Sequence, residues 1–168
     1  DALCGAILRS PVAHGEIRSI DTARARAMPG VRAVVTGYDC DIAYGVIPIA
    51  QNEFPLARDR VRYRGEPVAA VAADDAATAQ AALAAIELDI APLPACFDAA
   101  AARAPGAQQL HANKPGNIER EVEQEFGDVD QAFAGADLVC EERFHYAEVT
   151  HAMMEPNAAL AHYDKEHG

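Results

Sequence analysis

Residues 60–94, RVRYRGEPVAAVAADDAATAQAALAAIELDIAPLP, limit the possible folds more than any other stretch of this chain. Val61 and Tyr63 alternate with Arg60, Arg62 and Arg64, the period of a strand with one apolar and one cationic face. Gly65-Glu66-Pro67 reads as a turn, and Pro67 can open a strand without breaking its ladder. Val68 to Ala73 is a continuous apolar run, as in a strand covered on both faces. Asp74 and Asp75 can offer a side-chain oxygen to the free N–H groups of a helix start. Ala79, Ala82, Leu83 and Ile86 then recur at helical spacing. The small Ala side chains predict a helix lying close to its sheet. Leu88 and Ile90 flank Asp89 in a last strand, which Pro92 and Pro94 stop. Strand, turn, strand, helix, strand is an α/β (α+β) pattern, read here as a mixed sheet with short packing helices.

The N-terminal part fits the same architecture. Leu3 to Leu8 and Ile17 to Ile20 read as strands. Asp21 is placed to cap a short helix through Met28, ended by Pro29-Gly30. Val31 to Thr36 is a further buried-type strand. From Asp39 to Arg58 the pattern lapses into a long excursion, and loops of that length are often functional. Residues 99–117 hold a short Ala helix and the turn signals Pro105-Gly106 and Lys114-Pro115-Gly116-Asn117, so a linker is expected there. Beyond it, Glu119, Glu121, Glu123 and Glu125 alternate with other residues and would share one solvated face of a strand. Asp128 to Ala134 predicts a short helix; Leu138 to Tyr146 and Ala158 to Tyr163 predict strands.

Composition excludes several classes of function. The 168 residues carry a formal charge of −12, the wrong sign for a phosphate-binding footprint or an anionic membrane. No apolar run reaches the roughly 18 residues of a membrane-spanning helix. Hydrophobic residues make up 51%, but 38 of them are Ala, so the large-residue core is modest. Cys4, Cys40, Cys96 and Cys140 form no Cys-x-x-Cys pair, which argues against a zinc ribbon or iron–sulfur cluster within the chain. Reduced thiols and a cytoplasmic location are expected.

Few residues have the pattern of a reactive centre. No Gly-x-Gly-x-x-Gly or Walker lysine motif occurs. Ser10 has no nucleophile elbow around it. Cys96 follows a proline and an alanine in a setting suited to packing. His145, Glu148, His151 and Glu155 lie near one another in sequence. A metal site there would require their ligand atoms to converge within about 2 Å of one ion. The spacing is not that of His-Glu-x-x-His on a helix. Hydrogen-bonding roles on a strand remain the alternative.

Four stretches, in order, carry a resemblance. They are ILRSPVAHGEIRSIDTARARAMPGVRAVVTGYD (Ile7 to Asp39), the strand–helix–strand stretch of residues 60–94, FGDVDQAFAGADLVCEERF (Phe126 to Phe144) and HAMMEPNAALAHYD (His151 to Asp164). Together they resemble the large subunit of the molybdenum hydroxylases, the family of xanthine dehydrogenase, aldehyde oxidase and aerobic carbon monoxide dehydrogenase. The resemblance implies an α/β hammerhead domain over residues 1–100, a linker over 101–117, and the start of the molybdopterin-binding region over 118–168. It implies an N-terminal fragment of an oxidoreductase subunit that uses a molybdopterin (molybdenum) cofactor. Partner iron–sulfur and FAD subunits would complete a hetero-oligomer.

PIAQNEFPLARDRVRYRGEPVAAVAA and FGDVDQAFAGADLV resemble 4-hydroxybenzoyl-CoA reductase in particular, which implies reductive dehydroxylation of an aromatic CoA thioester. A xanthine dehydrogenase, aldehyde oxidase or carbon monoxide dehydrogenase-type hydroxylase is the alternative within the family. A freestanding, non-catalytic binding module is the alternative of another class. His151, Met154 and Glu155 match a family stretch near the substrate funnel, which implies a place beside the active site. The family's pterin-binding and catalytic motifs have no counterpart here, so no catalytic, cofactor-binding or metal residue is carried over. The chain alone is expected to be inactive.

Overall fold

A computed structural model describes residues 2–48, 51–147, 149–150 and 152–166. The chain divides into two units, Asp1–Glu121 and Val122–Gly168. In the first, the described residues form six strands, three α-helices and a closing 3-10 turn (Pro115–Asn117), in the order β1 (Cys4–Arg9), β2 (Gly15–Asp21), α1 (Ala23–Arg26), β3 (Val31–Thr36), β4 (Arg60–Val61), β5 (Pro67–Ala73), α2 (Ala76–Ala84), β6 (Glu87–Pro92), α3 (Ala99–Ala102). One sheet has the order β1-β5-β3 and the other β4-β2-β6.

Every pairing in both sheets is antiparallel. The α/β class stands, but the mixed sheet read from the sequence is two sheets. The strand–helix–strand pattern fixes the three elements without fixing where the second strand pairs. Here β6 leaves α2 for the second sheet, beside β2, so no parallel crossover forms.

β5 explains the arrangement. It is the central strand of its sheet, with Val71 opposite Ala6 on one side and Val34 on the other. Ala69, Val71 and Ala73 point to one face, where they pack with Ala25 of α1 and Ala79 and Ala82 of α2. Val68 points to the other face and joins Ile17 and Val61 of the second sheet. A strand buried on both faces has to be apolar throughout, and VAAVAA is. Full burial of a side chain the size of Val68 contributes about 1.5–3 kcal/mol.

α2 rests on the first sheet through its small residues: Ala79 is 1% and Ala82 0% exposed. Asp75 caps it, its carboxylate accepting the Thr78 amide at 2.8 Å. Asp74 does different work. Its two oxygens accept Arg32 Nε at 2.6 Å and Nη2 at 2.8 Å, tying β3 to the end of β5. Asp21 closes β2 and accepts the Ala23 amide at 2.8 Å, so α1 begins there and ends at Arg26, short of Met28.

Two expectations change at β4. The strand is two residues long, and Tyr63 is 56% exposed rather than sharing the buried face of Val61. The chain is already turning: Glu66 donates its amide to the Tyr63 carbonyl at 3.2 Å, with Gly65 at φ +88°.

In the second unit, α4 (Val129–Ala134) forms as expected, with Asp128 capping the Gln131 amide at 2.9 Å. The strands expected at residues 118–126, 138–146 and 158–163 are absent among the described residues, which from 118 to 166 are all exposed. Alternation states which face a strand would bury; it does not supply the neighbouring edge that makes a ladder. Among the described residues, no helix is long and apolar enough to cross a membrane.

Candidate functional site

One candidate site lies where loops of the first unit converge. Ser10 begins one wall. Its amide donates to the Glu66 carbonyl at 2.8 Å, and its own carbonyl accepts the Gly65 amide at 2.9 Å. Its hydroxyl, within a tight local turn, donates to the Val12 carbonyl at 2.8 Å. The Arg9 guanidinium reaches the Gly65 carbonyl at 2.9 Å. The loop after β1 and the turn before β5 are thereby held as one piece.

His14 follows on this wall and is 2% exposed. Its Nδ1 lies 2.8 Å from the Pro94 carbonyl oxygen. A carbonyl can only accept, so Nδ1 carries a hydrogen, and in the neutral ring Nε2 then presents a lone pair. That Nε2 has no partner among the described residues. Gly15 next to it lets β2 lie close against β6: a Cβ there would collide with Ile90 Cγ2. Together His14, Arg62, Tyr63, Arg64, Phe97 and Leu110 border a cavity of about 160 Å³.

A second wall comes from the stretch read as a linker. Arg60 Nη1 donates to the Gln109 carbonyl at 3.3 Å, and Arg62 Nε to the Leu110 carbonyl at 3.2 Å. Asn117 closes the loop on itself by accepting the Leu110 amide at 2.8 Å and donating to the Ala102 and Gln108 carbonyls at 2.9 and 3.0 Å. Burial, with Arg62 as a nearby like charge, pushes the His111 pKa down, so that ring favours the neutral form. The three cationic positions read as one strand face are in fact split: Arg60 and Arg62 hold the Gln109 and Leu110 carbonyls, while Arg64 is exposed.

In the second unit, Phe126, Val129, Phe133, Leu138 and Val139 border an open groove of about 350 Å³ beside α4. Met154 is 99% exposed and Glu155 lies beside it in an exposed bend. His151 and Glu148 lie outside the described residues. Among the described residues, no group of three His, Cys, Asp or Glu side chains could hold a metal ion. Sequence reasoning passed over His14; the available signal was a His beside a Gly at the start of a strand, directly after a Ser-Pro turn.

Comparison with known proteins decides the family. Residues 1–94 match the family described as aldehyde oxidase and xanthine dehydrogenase, a/b hammerhead domain. The chain belongs to this family. Residues 110–168 of this hammerhead protein match the molybdopterin cofactor-binding domain, which implies a molybdenum cofactor. It is 34% identical to the nicotinate dehydrogenase large molybdopterin subunit of Eubacterium barkeri, over 99% of this chain and 39% of that protein. It is 33% identical to the carbon monoxide dehydrogenase large chain of Afipia carboxidovorans, over 99% of this chain and 22% of that one. Its fold matches the solved aldehyde oxidoreductase of Desulfovibrio gigas with a TM-score of 0.65 at 31% identity, covering 82% of this chain and 16% of that one. The hammerhead protein spans between 20% and 39% of the length of the first three of its curated relatives.

Proposed function

We propose that this chain forms the hammerhead domain and the opening of the cofactor-binding region in the molybdopterin subunit of an oxidoreductase. The observation that carries the reading is the succession of two matches along one chain, hammerhead over residues 1–94 and molybdopterin-binding over 110–168. The boundaries proposed from the sequence, 1–100, 101–117 and 118–168, follow the same succession. Partner subunits bearing iron–sulfur clusters and FAD, and a cytoplasmic hetero-oligomer, complete the proposal; the relatives' names, which include a large subunit and a large chain, support its multi-subunit part.

We assign no molybdopterin or metal ligand to this chain, and no chemical step is derived from it. Its contribution is to pack, to wall and to position: the first unit supplies a preformed scaffold, and His151, Met154 and Glu155 are proposed to face the substrate path in the intact subunit.

A hydroxylase of the xanthine dehydrogenase, aldehyde oxidase or carbon monoxide dehydrogenase type is the function favoured by these relatives. A finer reading, reduction of an aromatic CoA thioester as in 4-hydroxybenzoyl-CoA reductase, is favoured by the resemblance of Pro48 to Ala73 and of Phe126 to Val139. The test is to purify the intact subunit with its partners and measure molybdenum and dye-linked turnover. Stoichiometric molybdenum with oxidation of an aldehyde or N-heterocycle supports the hydroxylase. Turnover only with 4-hydroxybenzoyl-CoA and a reduced donor selects the finer reading. An intact subunit without molybdenum overturns both, and stoichiometric molybdenum on the 168-residue chain alone overturns the assignment of no ligands to it.

A further inference from the structure

We propose that the cavity bordered by His14, Arg62 and Arg64 binds a small organic carboxylate that also carries an O–H donor. The site lies wholly in the first unit and is independent of the molybdenum reading. Three features define its ligand.

The first is the lone pair of His14. The ring is 2% exposed, and its Nδ1 hydrogen is committed to the Pro94 carbonyl. Its Nε2 is buried without a partner among the described residues. A buried acceptor left unmade costs free energy, so native sites normally satisfy it with a donor. In the neutral ring this nitrogen can only accept, and the group that completes it there is an O–H or N–H.

The second is charge. Arg62 spends Nε on the Leu110 carbonyl and Nη1 on the Arg60 carbonyl, at 3.2 and 3.3 Å, leaving Nη2 over. Its backbone amide, not its guanidinium, takes the Glu66 carboxylate. Neither Arg62 nor Arg64 forms an ion pair among the described residues. Two guanidinium groups outside any ion pair among the described residues, with Arg9 as a further cation and Glu66 and Glu53 as the carboxylates that act on Tyr63, offer a place for one anion. Guanidinium geometry suits a carboxylate, whose two oxygens can accept paired N–H groups.

The third is size and polarity. The cavity of about 160 Å³ is completed by Tyr63, Phe97 and Leu110. Apolar walls with a few convergent polar groups are the usual make-up of a small-molecule site. Such a space, open to solvent past Tyr63 and Phe97, suits one ring or a short branched chain.

The test is NMR titration of the 168-residue chain with 3-hydroxybenzoate, benzoate and 3-hydroxybenzamide, following the His14 Nε2 resonance. 3-Hydroxybenzoate is expected to bind saturably and to move that resonance. Benzoate, without the donor, and 3-hydroxybenzamide, without the charge, are each expected to bind about tenfold more weakly. Arg64→Gln, an exposed change that breaks no bond found among the described residues, is expected to weaken 3-hydroxybenzoate by about tenfold and leave the amide unaffected. The proposal is overturned by non-saturable binding, by an unmoved His14 signal, by equal affinity for acid and amide, or by an indifferent Arg64→Gln.

Discussion

Gly37 lies so close to Ala57 that a Cβ on Gly37 would run into the Ala57 carbonyl oxygen and the Arg58 Cγ. This contact seats the end of the 39–58 excursion against the end of β3. The obstacle is backbone, which cannot rotate away as a side chain can. Gly37→Ala is therefore expected to destabilise the first unit by about 1–3 kcal/mol in urea unfolding. Gly5, with nothing within 4 Å of the same virtual atom, is the control. Gly5→Ala should be neutral or slightly stabilising, because it only removes freedom from the unfolded chain. Equal effects of the two changes would show that the close approach at Gly37 does not matter.

The approach of α2 to its sheet depends on the same kind of smallness. Ala82 is fully buried against the first sheet, whereas Ala81 beside it faces solvent. Ala82→Leu has to push the helix outward or leave its rotamer, at a cost of about 1–3 kcal/mol. Ala81→Leu should stay within about 0.5 kcal/mol of the parent. The measurement is the urea midpoint of each variant; a tolerated Ala82→Leu would mean that the helix has room to spare.

Two aspartates give the fold a directional pH dependence. Thr36, through its amide at 2.7 Å and then its hydroxyl at 3.0 Å, holds the Asp39 carboxyl below its usual range near 3.8. Thr78 does the same to Asp75, by its amide and then its hydroxyl. A depressed folded pKa means stability that is fully present above the ordinary carboxylate value and lost as pH falls through the folded one. Melting temperature should accordingly drop on going from about pH 7 to about pH 3. Asp75→Asn keeps a side-chain oxygen for the cap, so stability near neutrality should hold while part of the acid-induced drop disappears. An unchanged acid dependence in both Asp75→Asn and Asp39→Asn would remove these carboxylates as its source.

Much of the fold could be read from local chemistry. The Val68–Ala73 run, the Asp75 cap and the Ala face of α2 each state a burial or a hydrogen bond that neighbouring residues settle among themselves. Pairing partners could not be read in this way. Whether β6 returned beside β5 or crossed to β2 depended on contacts between residues far apart in the chain. The same limit produced the strands expected after residue 118, where the alternation is real but no neighbouring edge takes it up. The cavity at His14 was hidden because its members come from positions 14, 62–64, 97 and 110. None of those residues is unusual beside its sequence neighbours; only the turn pinned by Ser10 and the loop pinned by Arg62 bring them together.

That pinned loop gives the last prediction. Asn117 sits at φ +57° and makes three hydrogen bonds that gather residues 102, 108 and 110 around one side chain. The left-handed backbone and the side-chain bonds are separable. Asn117→Gly keeps the backbone at ease and removes the bonds; Asn117→Ala removes the bonds and adds the strain of a Cβ in that region, about 1–2 kcal/mol. Hydrogen exchange of the Leu110 amide, which donates to Asn117, should accelerate by about tenfold or more in Asn117→Gly and further in Asn117→Ala. The Val71 amide, in the central strand, should keep its protection because the first sheet does not depend on this loop. If Leu110 exchanges at the parent rate in Asn117→Gly, the hold on the 102–117 segment belongs to Arg60 and Arg62 instead, and Arg62→Gln should then release it.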